Sequence, residues 1–153
     1  MSIKAHLSVV VPLALAVSLW TGPIGAGAPK PSLYERLGGV YAIATVVDVF
    51  IERLLVNDTL NANPAIAAAR KRVSKAGLKY QVTSLISHMA GGPQCYTGRS
   101  MKAAHAHLNI TEKEWAAMAA DFKAVLYDFK VPPAEQKELF TLVGGVKDDI
   151  VQE

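Results

Sequence analysis

The chain contains a single cysteine, Cys95, among its 153 residues. One thiol cannot form an internal disulfide. At this length and with 51% hydrophobic residues, the chain is long enough to bury a core without disulfides or a structural metal. We therefore expect one globular domain stabilised by packing.

The sequence also lacks strand-like alternation of useful length and internal repeats. Apolar residues recur instead at helical spacing, which predicts an all-α fold. Two capping boxes are predicted, Ser32 with Glu35 and Thr111 with Glu114. The predicted helices begin after Ser32, at Val40, at Ala65, at Leu78, at Met101, after Thr111 and at Ala134, and the last of them is expected to run to about Val151.

An excess of either charge is missing too. The chain has 16 lysines and arginines and 13 acidic residues, which gives a formal charge of +3. Apart from the run Arg70 to Arg72, the cations are dispersed along the chain. This pattern does not indicate a nucleic-acid partner.

The N-terminal apolar run, Leu7 to Trp20, is shorter than the roughly 20 residues a membrane-spanning helix needs, and Pro12 interrupts it. Lys4 precedes the run, and the small residues Gly25 to Ala28 follow it. This layout is typical of a secretory signal peptide. We expect a signal peptide at 1–28, a linker at 29–32 and the folded domain at 33–153, with the protein exported, either periplasmic or secreted, and without a stable membrane anchor.

The stretch from Gly91 to Ile110 carries the clearest functional pattern. Its glycines and Pro93 end one helix, and a short helix follows in which His105 shares a face with Met101 and Leu108. A neutral imidazole on an apolar face can bind a metal, although a histidine packed in the core is the more common case.

Four segments resemble the group I truncated haemoglobins in order and spacing. They are SLYERLGGVYAIA from Ser32, VVDVFIERLL from Val46, GGPQCYTG from Gly91 and MKAAHAHLNIT from Met101. The resemblance spans Leu33 to Val151. It implies a small truncated globin fold with helices packed two over two around a haem, and it makes His105 the proximal ligand of a haem b iron. The absence of a Cys-x-x-Cys-His motif argues against covalent c-type attachment.

Under this resemblance, apolar residues from several helices are expected to wall the haem, and cations are expected near its propionates. The expected walls are Phe50, Ile51, Leu78, Val82, Met101, Ile110, Trp115, Met118, Phe122 and Val143, and the expected cations are Lys79 and Arg99.

The sequence departs from the family on the distal side of the haem. Many members have a Phe-Tyr pair whose tyrosine hydroxyl hydrogen-bonds oxygen, whereas this chain has Phe50-Ile51. Isoleucine has no donor. The remaining distal candidates are Leu78, Tyr80, Gln81 and Val82, of which only Tyr80 and Gln81 carry donors; a surface role is the alternative for both.

Two further histidines and the cysteine have weaker functional readings. His107 lies on a different helical face from His105, where solvent or a propionate is its expected neighbour. His88 is expected at a helix end. For Cys95, thiolate ligation is an alternative to an idle thiol.

The resemblance implies a haem b-binding truncated haemoglobin that reversibly binds oxygen or another diatomic gas, nitric oxide or carbon monoxide. Its expected partners are haem, the gas and a reductase. One alternative is a periplasmic nitric oxide dioxygenase or haem peroxidase, which would need a polar distal group. The other is a helical interaction module that has kept the fold without the cofactor.

Overall fold

A computed structural model describes residues 30–152 of the chain. The expected signal peptide and Pro29, the first residue of the expected linker, lie outside these residues. The described helices are α1 Leu33–Arg36, α2 Gly39–Val56, α3 Asp58–Asn61, α4 Pro64–Arg70, α5 Lys75–Met89, α6 Met101–His105, α7 Glu112–Asp128, α8 Pro133–Gly144 and α9 Lys147–Ile150.

The long helices pack in two layers. One layer contains α2 and α5, which share an extensive interface, and α2 also packs against α7. In the other layer, α7 meets α8 through the rings of Phe122 and Phe140, whose centroids lie 5.3 Å apart. In the described residues the only bridge between extended segments is an isolated parallel pair, Ile110 with Val151. The all-α, two-over-two prediction is confirmed.

Both predicted capping boxes form. The Ser32 side chain accepts from the Glu35 backbone N–H, and the Glu35 carboxylate accepts in return from the Ser32 backbone N–H. Thr111 and Glu114 make the same reciprocal pair at the start of α7. Each box satisfies N–H groups that the first turn of a helix leaves without partners.

The structure corrects three helix boundaries. The final helix is broken at Gly144–Gly145 and resumes as α9, where one helix to about Val151 was expected. A short helix, α3, begins immediately after α2, because the Asn57 side chain caps it by accepting from the Leu60 N–H. The helix that carries His105 ends at that residue, because the next residues turn with positive φ at His107 and Asn109.

Candidate functional site

His105 is the last residue of α6, a helix of five residues. The Ser100 hydroxyl caps its start by accepting from the Ala103 N–H at 3.2 Å. The His105 side chain is half-buried, and its Nδ1 lies 2.9 Å from the Met101 carbonyl oxygen. Because a carbonyl can only accept, the contact assigns a proton to Nδ1, and in the neutral ring the lone pair is then on Nε2. This is the tautomer that binds a metal through Nε2.

The loop before α6 depends on two glycines. Gly91 has φ +83°, a left-handed conformation that favours glycine. Gly98 packs so closely against the Tyr96 ring and Gln81 that a Cβ there would lie 2.6 Å from Gln81 Oε1. The Tyr96 hydroxyl in turn donates to the Arg99 carbonyl at 2.8 Å. The loop is thereby held against α5 just before α6 begins.

An apolar chamber of about 90 Å³ lies between the two helix layers. Every residue that lines it has an apolar side chain, and the volume is large enough for several molecules the size of water. Five of the expected haem walls are among the lining residues: Phe50, Val82, Met118, Phe122 and Val143. The other lining residues are Leu37, Ala42, Ile43, Val46, Val47, Ile86, Val131 and Leu139.

The other expected wall residues are not among those that line the chamber. Ile51 is 2% exposed and belongs to the core beside Phe50. Ile110 is also buried, and it directly precedes the cap of α7. Leu78, Met101 and Trp115 are half-buried on α5, α6 and α7. Contacts of these five with a haem stay predictions.

The two expected propionate partners have different environments. The Lys79 ammonium lies 2.6 Å from Asp48 Oδ1 and 2.5 Å from Glu52 Oε1 on α2, and its side chain is mostly covered. Hydrogen bonds to Asp48 and then to Glu52 raise the pKa of Lys79, while those from Lys79 and Lys75 lower the pKa of Glu52. Arg99 is exposed in the loop before α6. A propionate role stays a prediction for both, and for Lys79 it would compete with two carboxylates.

The two polar distal candidates lie on the outer side of α5. Tyr80 is 67% exposed, and Gln81 is exposed with its side-chain oxygen beside Gly98. Neither lines the chamber, whereas Val82 does. A distal role for either stays a prediction.

The remaining histidines and the cysteine lie at the surface. His88 is exposed, with Nδ1 3.1 Å from the Gln94 carbonyl oxygen. His107 and Cys95 are exposed as well. No cluster of three or more histidine, cysteine, aspartate or glutamate residues that could hold a metal ion occurs among residues 30–152.

One contact to His105 was not predicted from the sequence. The Gln152 side-chain amide donates to the His105 carbonyl oxygen at 3.1 Å, across 47 positions of the chain. No local sequence pattern predicts this contact, because Gln152 follows the last helix and has no periodic relation to α6.

The described residues fit a haem in the chemistry of the donor set and in the surrounding walls. His105 offers an imidazole nitrogen as donor, and α2, α5, α7 and α8 supply apolar side chains of the kind that surround a macrocycle; His105 itself is not among the residues that line the chamber. A model of the bacterial-like globin family matches residues 32–152 of this chain. The chain belongs to this family.

Curated relatives and solved structures of similar fold are also truncated hemoglobins. The group 1 truncated hemoglobin GlbN of Synechocystis sp. is 30% identical over 119 residues, which cover 74% of this chain and 90% of the relative. The Synechococcus sp. 2/2 hemoglobin, solved in the cyanomet state with covalently attached heme, aligns with a TM-score of 0.67 and 26% identity. The Tetrahymena pyriformis truncated hemoglobin aligns with a TM-score of 0.67 and 24% identity. Each structure covers 80% of this chain and is itself covered completely.

Across residues 30–152, the globin has no helix that is both long and apolar enough to cross a membrane.

Proposed function

We propose that this globin binds haem b non-covalently, with His105 as the axial ligand of the iron, and that it reversibly binds a diatomic gas. A bound haem supplies an iron that accepts oxygen, nitric oxide or carbon monoxide as a ligand. Membership of the globin family supports the cofactor and the gas-binding class of function. The specific ligand residue, the haem type and the gas are our inferences.

The observation that carries the proposal is the tautomer of His105. The Met101 carbonyl accepts a hydrogen bond from Nδ1, which fixes the ring orientation and makes Nε2 the nitrogen that is free to bind a metal in the neutral ring. A hydrogen bond of this kind raises the basicity of a ligating histidine. The contact satisfies the Nδ1–H and leaves the other ring nitrogen available, which supports a ligand role.

The apolar chamber supports a gas as the second ligand. Its lining offers no hydrogen bond to water, and it has room for a small neutral molecule. Phe50, Met118 and Phe122 are among the side chains that line it. The chain contributes burial and shape there, and we infer that oxygen would receive little hydrogen bonding from it.

The same chamber gives less support to a nitric oxide dioxygenase or a peroxidase. Such chemistry needs a side chain that can donate or accept a proton beside the ligand. Tyr80 is largely exposed and Gln81 lies beside Gly98, so neither takes part in the chamber lining. The His105 arrangement likewise favours a haem protein over an interaction module without cofactor.

Two parts of the proposal rest on sequence alone. The N-terminal pattern supports export after removal of residues 1–28, and the mass of the mature protein recovered from the producing cells tests it. A reductase that keeps the iron ferrous is the expected partner.

The decisive experiment loads the chain from Pro29 onward with haemin and records ferric, ferrous and carbon monoxide absorption spectra. The wild type should bind one haem per chain and give the spectrum of a histidine-ligated carbon monoxide complex, and His105→Ala should lose or alter it. His88→Ala is the matched control, because this exposed histidine lies outside the proposed site. A wild type that takes up no haem would overturn the proposal, and a His105→Ala variant with unchanged spectra would overturn the ligand assignment.

A further inference from the structure

The helix that presents His105 is too short to hold it alone. Five residues make little more than one turn, and isolated helices of that length are unstable in water. Ser100 fixes the beginning of α6. At its end, the His105 carbonyl accepts from the Leu108 N–H at 3.1 Å and from Gln152 Nε2 at 3.1 Å.

Gln152 itself is well anchored. Its backbone N–H donates to the Ile110 carbonyl at 2.8 Å, and Val151 pairs with Ile110 in the parallel bridge. Helix α9, immediately before it, packs against α6, and Lys147 Nζ lies 2.7 Å from Glu112 Oε1 at the start of α7. The side chain of Gln152 is therefore presented from a segment tied to both flanks of the His105 turn.

We propose that Gln152 is a positioning residue for His105. Its amide fixes the peptide group of the histidine, while Met101 fixes the ring, so the backbone and the imidazole are restrained by separate contacts. Partners one shell away from a metal commonly set ligand orientation in this way. The inference rests on the proposed ligation of haem iron by His105 and extends it to a residue 47 positions away.

The first test uses the haem-free protein. Hydrogen exchange of the amides of residues 101–108 is compared between the wild type and Gln152→Leu, which keeps a similar size and removes the donor. We expect faster exchange in this segment in the variant. Gln136→Leu is the matched control, because Gln136 Nε2 also donates to a backbone carbonyl, that of Val131 at 2.7 Å, away from α6. Unchanged exchange at 101–108 in Gln152→Leu would overturn the proposed coupling.

The second test uses the haem-loaded ferrous protein without gas. Resonance Raman spectra give the iron–histidine stretching frequency, which responds to the orientation and basicity of the axial ring. Gln152→Leu should shift or broaden this band and speed haem loss about tenfold, in line with outer-shell variants at metal sites. Gln152→Lys, which restores an N–H donor, should recover the band, and Gln136→Leu should leave it unchanged.

The outcomes separate this inference from the proposed function. A wild type with no iron–histidine band contradicts the ligation of iron by His105, whatever the variants show. A wild-type band that is identical in Gln152→Leu, or that shifts equally in Gln136→Leu, contradicts the positioning role alone. Should Gln152→Leu fold poorly, Gln152→Glu removes the donor at constant shape and is subject to the same criteria.

Discussion

Phe50 and Phe122 join α2 to α7 across the chamber, with ring centroids 5.2 Å apart and ring planes inclined by 57°. Tilted aromatic pairs of this kind are favourable beyond the area they bury. Phe122 also contacts Phe140 of α8, so three rings connect three helices. Phe50 and Phe122 both line the chamber, and Ile51 directly follows Phe50 in α2.

Ile51 is the residue where a hydrogen-bond donor is expected to change the behaviour of the gas. In Ile51→Tyr, a hydroxyl at the position of the family's distal tyrosine should slow oxygen dissociation about tenfold, the factor that one ordinary hydrogen bond supplies. In the same variant, the infrared stretching frequency of carbon monoxide bound to the ferrous protein should decrease. Ile51→Phe has nearly the same shape without the hydroxyl and should change neither quantity. If Ile51→Tyr and Ile51→Phe changed these two quantities equally, the size of the ring and not the hydroxyl would be the cause.

Local interactions account for most of what was predictable from the sequence. The capping boxes at Ser32 and Thr111 involve residues three positions apart, so the amino-acid sequence alone predicts them. The break between α8 and α9 is less visible, because Gly145 itself keeps a right-handed backbone and the apolar spacing continues beyond it. The hydrogen bond from Gln152 to His105 is absent from any local pattern and exists only once the fold brings the two segments together.

The distal side illustrates the same limit. The sequence shows that Ile51, which has no hydrogen-bond donor, stands where many members of the family have a tyrosine. The structure shows that Ile51 is buried. The exposure of Tyr80 and the seating of Gln81 against Gly98 depend on how α5 rotates on α2, which periodicity alone does not determine. The helix has no sharply apolar face, since exposed Tyr80 and half-buried Val82 are only two positions apart, and this leaves the rotation open.

Gly98→Ala is expected to disturb the loop that leads to α6. The new Cβ would overlap the Tyr96 ring and Gln81, and overpacking of this kind costs about 1–3 kcal/mol. Thermal unfolding and the rate of haem transfer to an acceptor globin measure the effect, and both stability and haem retention should decrease. Gly144→Ala is the control, because a Cβ there meets nothing within 4 Å. Equal losses in the two variants would contradict a specific role for the Gly98 contact.

Ser87→Ala is expected to stabilise the protein. The Ser87 side chain on α5 is fully buried, and its hydroxyl has no hydrogen-bond partner among the described residues. A buried hydroxyl without a partner carries a desolvation cost, so its removal should raise the free energy of unfolding by about 1 kcal/mol. Urea denaturation monitored by circular dichroism gives this value. Loss of stability in the variant would show that the hydroxyl has a partner after all, and Ser84→Ala on the same helix tests for a general effect of serine removal.

Glu114 lies at the start of α7, the helix that carries Trp115 and Met118. We expect it to make the free energy of unfolding depend on pH. Burial raises the pKa of this carboxyl, but hydrogen bonds from the Thr111 backbone, the Asn63 amide and the Thr111 hydroxyl outweigh it, so the pKa lies below its usual value of 4.5. A lowered pKa in the folded state means that the carboxylate stabilises the fold above the unfolded pKa and that this contribution disappears as the pH falls through the folded pKa.

Denaturation of the wild type and Glu114→Gln at a series of pH values from neutral downward tests this sign. The wild type should be the more stable at neutral pH, and the difference should shrink below pH 4.5 as the carboxylate is protonated. Thr111→Val removes a hydroxyl that donates to the carboxylate at 3.0 Å and also accepts from the Glu114 N–H, so it should lower stability at every pH and weaken the pH dependence. If the curves of wild type and Glu114→Gln run parallel at all pH values, the carboxylate contributes through its shape and not through its charge, and the cap would stabilise α7 equally in acid.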